Sequence, residues 1–189
     1  MRMKFSLEVG ILLGFLLLSA CGGGGGDDDD PGPSLPPVTS NYETRFSPDH
    51  VIGSTPAPDT VTASANLSAT SGDDIIASGS VTVNGATATL VTINVGYAGE
   101  NGPVAVTLSD GGGGVWNIPA GVEIDQDEFD QLNSTGYYVW IETPAGNLRG
   151  QITPAEVVAV SLDLNVDSVV PASTSTGSGK AGFAFNAQT

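Results

Sequence analysis

Three glycines at three-residue spacing, Gly96, Gly99 and Gly102, follow an apolar run in the stretch GYAGENGP. A phosphate-cradling loop uses such spacing, but it needs a helix directly afterwards, whose N-terminal amides hold the anion. Here Gly102 runs into Pro103 and then VAVTL, a strand pattern, with no lysine nearby and with Glu100 placed to repel a phosphate. The glycines and Pro103 are therefore expected to form a compact turn between two strands. A second candidate is the acidic cluster Glu123, Asp125, Asp127, Glu128 and Asp130. It lacks the mid-loop glycine and the distant bidentate carboxylate of a calcium loop. Asp125 stands three residues before Glu128, and Phe129 and Leu132 fall on one face, which predicts a short capped helix instead. The run Asp27–Asp30 lies among glycines and prolines, where carboxylates are poorly preorganised for a metal. One histidine, His50, and one cysteine, Cys21, cannot furnish a transition-metal cluster. No two acids show a spacing that caps and turns leave unexplained. No catalytic residue, metal or cofactor is expected, and His50 reads as a surface side chain on a strand.

The elements that must position these residues read as strands. From Asn41 onward, apolar and polar residues alternate, with Thr, Val and Ile prominent and Gly, Asn, Asp and Pro between the runs. Strands are expected near Thr44–Val51, Val61–Leu67, Ile75–Val83, Ala86–Val95, Val104–Leu108, Gly114–Ile118, Tyr137–Thr143 and Leu148–Thr153. VNGAT, Val83–Thr87, reads as a tight hairpin, and SDGGGGVW, Ser109–Trp116, as a loose connector. The fold class is all-β: an antiparallel Greek-key β-sandwich, of immunoglobulin-like or superoxide-dismutase-like size, with one short helix. Alternation turns Val91, Ile93, Val139 and Ile141 inward, and Thr92, Asn94, Tyr138, Trp140 and Glu142 outward. If Pro144–Asn147 turns the hairpin, Glu142 faces Arg149 and Trp140 faces Gln151. Thr92, Asn94, Trp140, Glu142, Arg149 and Gln151 would then gather into one candidate binding patch, with Trp140 flanking the guanidinium. A solvated sheet face with one salt bridge accounts for the same residues. An outward indole is the feature that points to a carbohydrate or protein partner.

The first residues carry a different kind of chemistry. Two of the five basic residues precede an apolar stretch, Val9–Leu18, that is too short to span a membrane, and LSAC follows. Leu18–Cys21 resembles the bacterial lipobox, which implies removal of residues 1–20 as a lipoprotein signal peptide and lipidation of Cys21. Residues 21–40, rich in Gly, Asp and Pro, read as a tether that cannot pack. Loss of residues 1–20 would take Arg2, Lys4 and Glu8, leaving 3 of the 5 basic and 20 of the 21 acidic residues, a formal charge near −17. That balance opposes nucleic-acid binding. The expected partners are a membrane through Cys21 and an envelope protein or polysaccharide. The expected location is the bacterial cell envelope, lipid-anchored, at the outer membrane or cell surface.

INVGYAGENGPVAVTL followed by YYVWIETPAGNLRGQI resembles the CHRD domain, a module named after chordin. Gly96, Gly99, Asn101, Gly102, Pro103 and Val104 match its first motif. Tyr138, Val139, Ile141, Thr143, Gly146, Arg149, Gly150, Gln151 and Ile152 match its second. The resemblance covers residues 41–154 as one domain, and residues 155–189 resemble the first two strands of a second copy. Where the family tends to carry His-x-His, this chain has Thr92, Ile93 and Asn94, and where a further histidine follows it has Glu142. A metal-binding reading similar to copper–zinc superoxide dismutase therefore has no histidines to rest on. The resemblance implies a non-catalytic extracytoplasmic binding or scaffold module. An alternative is an assembly element that self-associates through residues 157–189 by donating strands.

Overall fold

A computed structural model of the chain describes residues 36–72, 74–164 and 176–186. The segment read as a signal peptide, Cys21 and most of the stretch read as a tether lie outside the described residues. Ten strands join one antiparallel, nearly closed sheet. They are β1 (Val38–Ser47), β2 (Thr62–Ser71), β3 (Ile75–Asn84), β4 (Leu90–Val95), β5 (Val104–Thr107), β6 (Ser109–Gly112), β7 (Val115–Asn117), β8 (Val122–Ile124), β9 (Tyr137–Thr143) and β10 (Gly146–Pro154). Helix α1 (Gln126–Asn133) precedes β9, and a separate ribbon pairs β11 (Val157–Leu164) with β12 (Gly179–Asn186). Along the sheet the order is β5-β4-β9-β10-β1-β2-β3-β7-β6, and β8 also pairs with β3. An all-β antiparallel fold with one short helix is what the alternation anticipates.

Period-two alternation places the apolar set on the concave face. Val91 and Ile93 of β4, Val139 and Ile141 of β9, Leu148 and Ile152 of β10, Leu67 of β2 and Val81 of β3 are all buried in one core. Phe129 and Leu132 of α1 pack against it. The helix starts where its cap chemistry dictates: Asp125 Oδ1 accepts from Glu128 N at 2.8 Å, and Glu128 Oε2 accepts from Asp125 N at 2.9 Å.

Four local expectations change. Strand β1 begins at Val38, inside the stretch read as tether, because Val38–Tyr42 pairs with Leu67–Ser71. Asn84-Gly85 turns the chain but makes no hairpin. The free edge of β3 is already occupied by β7 and β8, so the chain crosses over and β4 pairs with β9 and β5. Ser109–Trp116 is not a loose connector but the β6–β7 hairpin. Its turn places Gly112, Gly113 and Gly114 at φ of 83°, 62° and 83°, a run that side chains rarely follow. His50 lies on no strand; it closes a single 3₁₀ turn, Pro48–His50.

Candidate functional site

The convex face of β4, β9 and β10 carries the six polar residues that alternation selects. β4 pairs with β9 and β9 with β10, so the two hairpin segments are neighbours, as a shared patch requires. The register differs from the expected one. Thr143 Oγ1 donates to Gly146 O at 2.7 Å and accepts from Ala145 N at 3.2 Å, closing a two-residue turn at Pro144-Ala145. Glu142 therefore stands opposite Asn147, Trp140 opposite Arg149, and Tyr138 opposite Gln151. Parity is kept, so the residues share a face, but the Glu142–Arg149 pairing is replaced.

That face is not an open surface. Arg149 is 1% exposed, Thr92 2%, Gln151 5% and Asn94 8%, while Trp140 and Glu142 are half-buried. The glycine loop between β4 and β5 folds back over it. Gly102 is obligatory there, because a Cβ would overlap the Val95 carbonyl. Val95 N bonds to Pro103 O at 2.9 Å, which closes the loop on itself.

Under this loop the patch divides in two. One part is a buried polar knot. Arg149 Nη2 donates to Tyr97 O at 2.8 Å and to Gln151 Oε1 at 3.3 Å, and Nη1 donates to Asn101 Oδ1 at 3.2 Å. The guanidinium lies 3.7 Å from the centroid of the Tyr138 ring, so Tyr138, not Trp140, flanks it. Burial lowers the Arg149 pKa from its ordinary value, opposed by Tyr138 and Glu100. Gln151 Nε2 donates to the carbonyls of Gly96, Thr135 and Tyr137 at 2.8, 2.7 and 2.9 Å. Thr135 supplies its carbonyl from a φ of 65°, a strained setting for a β-branched residue.

The other part is a cleft of about 290 Å³, lined by Thr92, Asn94, Trp140 and Glu142 together with Tyr138, Asn101 and Ile52–Ser54. Thr92 Oγ1 donates to Asn94 Oδ1 at 2.6 Å, and Trp140 Nε1 donates to Glu142 Oε1 at 3.3 Å. Asn101 ties the wall to the knot, donating to Ile52 O at 3.0 Å while accepting from Arg149. Beside the knot, His50 is half-buried rather than a surface side chain. Desolvation lowers its pKa, and a hydrogen bond with the Arg149 backbone opposes that shift.

Sequence reasoning omitted Tyr138 and Asn101 from the patch, although alternation had turned Tyr138 outward and the glycine-loop motif contains Asn101. Ile52–Ser54 carried no signal, since a loop folding onto a distant strand pair leaves no periodicity. Among the described residues no three of His, Cys, Asp and Glu converge.

No curated protein and no solved structure shows a significant match to the chain. A comparison with family models matches the CHRD domain over residues 46–152, more than half of the 189 residues. That span contains the whole of the knot, the cleft and the glycine loop that covers them, and the chain belongs to the CHRD-domain family.

Proposed function

We propose that this protein is a non-catalytic carbohydrate-binding module of the bacterial cell envelope, held at the outer membrane or cell surface by a lipid on Cys21. Membership of the CHRD family supports an extracytoplasmic-type binding or scaffold domain. The observation that carries the finer reading is the cleft beside Trp140. Its wall offers three hydroxyls, two amides and a carboxylate next to a half-buried indole, the mixture that orients a polar, uncharged ring. A volume of about 290 Å³ lies at the small end of ligand sites, which suits a single sugar unit of a longer chain. A formal charge of −16 turns polyanionic chains away, so a neutral envelope polysaccharide is the class proposed.

The full-length chain, titrated with neutral polysaccharide prepared from its native envelope, is expected to change its tryptophan emission. Trp116 is buried in the core, so the change reports Trp140. Isothermal titration calorimetry with the same polysaccharide, which needs no fluorophore, should show Trp140→Ala weakening binding by about tenfold or more, and Glu142→Gln, a milder change, by less. Binding unchanged in both variants overturns the assignment of the cleft, and retention of an envelope protein in place of polysaccharide overturns the ligand class. Incorporation of labelled palmitate that disappears with Cys21→Ser is the matching test of the anchor.

A further inference from the structure

We propose that the outer face of the β11–β12 ribbon is a self-association surface whose occupant is the same face of a second copy of this chain. Alternation divides the ribbon into two unlike faces. The inner face holds Ala159, Asp163, Lys180 and Gly182, and it is the one fastened to the rest of the fold. Ala159 is buried, Lys180 Nζ reaches Asp49 O at 2.8 Å, and Gly182 sits so close to Ala98 that a Cβ would collide with its backbone. The outer face is Val158, Val160, Leu162 and Leu164 of β11, set beside Phe185, Phe183 and Ala181 of β12 by the register Val158↔Phe185, Val160↔Phe183 and Leu162↔Ala181.

Leu162, Leu164, Phe183 and Phe185 are each 50–53% exposed, and among the described residues the other exposed large apolar side chains, Val38, Tyr97 and Val104, lie outside the ribbon. One contiguous apolar strip of that kind marks an interaction surface, whereas single exposed apolar residues mark nothing.

Charge selects the occupant. The only charged residues of β11 and β12 are Asp163 and Lys180, which neutralise each other on the inner face at 2.6 Å. The outer face is therefore uncharged in a chain whose formal net charge is −16. Two copies repel each other over most approaches, and this is one on which they meet apolar to apolar. A two-fold arrangement supplies the matching face by symmetry, without a second protein.

Size sets the strength. Strands of 8 residues give a strip roughly 26 Å long and two strands wide. Two such strips cover less than the ~1,200 Å² of a stable specific interface. The association is a weak, reversible dimer that depends on concentration, not an obligate one.

Sedimentation equilibrium of the full-length chain tests this directly. The average mass is expected to climb toward twice the monomer as concentration rises. Leu162→Ser and Phe183→Ser, made separately, should each weaken the association about tenfold while leaving the circular dichroism unchanged. Because both side chains are half-exposed, at least one variant will retain its fold and decide the question. A folded variant that associates as strongly as the parent overturns the proposal, as does a parent that stays monomeric throughout. Flotation of a monomeric parent with neutral phosphatidylcholine vesicles, lost in both variants, would assign the strip to lipid and overturn it equally.

Discussion

Arg149 is a guanidinium that has given up water for carbonyl oxygens and a ring face. At 1% exposure, with Tyr97 O, Asn101 Oδ1, Gln151 Oε1 and the Tyr138 ring around it, it acts as a bracket holding the glycine loop on the sheet. Magnitude separates this role from that of an exposed salt bridge, which would contribute about 0–1 kcal/mol. Arg149→Met keeps most of the volume and leaves one buried acceptor, Gln151 Oε1, and two part-buried ones, Tyr97 O and Asn101 Oδ1, without their donor. A fully buried group left so costs about 1–3 kcal/mol, and the part-buried ones less. Urea unfolding should therefore show a loss of about 2–4 kcal/mol, the guanidinium's own desolvation cost offsetting part of the sum. A loss below about 1 kcal/mol would return Arg149 to the solvated-face reading. Arg149→Lys should restore little of it, because one ammonium cannot reach oxygens that the planar fork reaches together.

The glycine loop shows best what a sequence discloses about an element and what it withholds. The strand after Gly102-Pro103 excluded a phosphate site and identified a β-to-β connection, because local residue types decide that question. Where the connection goes afterwards depends on Asn101, Arg149 and Gln151, which are neighbours only once β4, β9 and β10 are side by side. Alternation therefore placed Thr92, Asn94, Arg149 and Gln151 on one face correctly, and said nothing about what lies over that face. The same limit explains the crossover after Asn84-Gly85, where a good local turn is overruled because β7 and β8 hold the edge. Helix α1, whose cap is written in four consecutive residues, was legible in full. Gly102→Ala tests whether the loop's path is fixed by packing. The new Cβ has the Val95 carbonyl in its way, so the loop must lift, costing about 1–3 kcal/mol, typical of overpacking. Lifting it also moves Tyr138, whose hydroxyl accepts from Gly102 N at 3.2 Å, and the cleft should lose affinity together with stability. Substituting Gly113, around which a Cβ meets open space, should cost only the strain of its φ and leave the cleft unaffected.

Across the whole molecule the acidic excess acts on everything else. Five basic residues face 21 acidic ones, and one of the five, Arg149, is sealed under the glycine loop, where Glu100 is the carboxylate that acts on it. Another, Lys180, is engaged by Asp163. The exterior is thus more strongly single-signed than the composition implies, and like charges held on a folded surface repel more than the same charges spread along an unfolded chain. Added salt shortens the reach of that repulsion to about 8 Å at physiological ionic strength, from about 30 Å at 0.01 M. Stability should therefore rise with sodium chloride at neutral pH. A gain of about 1 kcal/mol corresponds to roughly 2–4 °C in the thermal midpoint for a chain of this size. Chloride and the weakly coordinating perchlorate should both raise the midpoint at low concentration if screening is responsible. Protection confined to divalent cations would mean that specific carboxylates, not the overall field, collect the ions. The same screening lowers the barrier between copies, so the weak dimer attributed to β11–β12 should tighten with salt. A contact built from surface ion pairs would loosen instead. Opposite slopes for these two kinds of interface make ionic strength the variable that distinguishes an apolar ribbon contact from an adventitious electrostatic one.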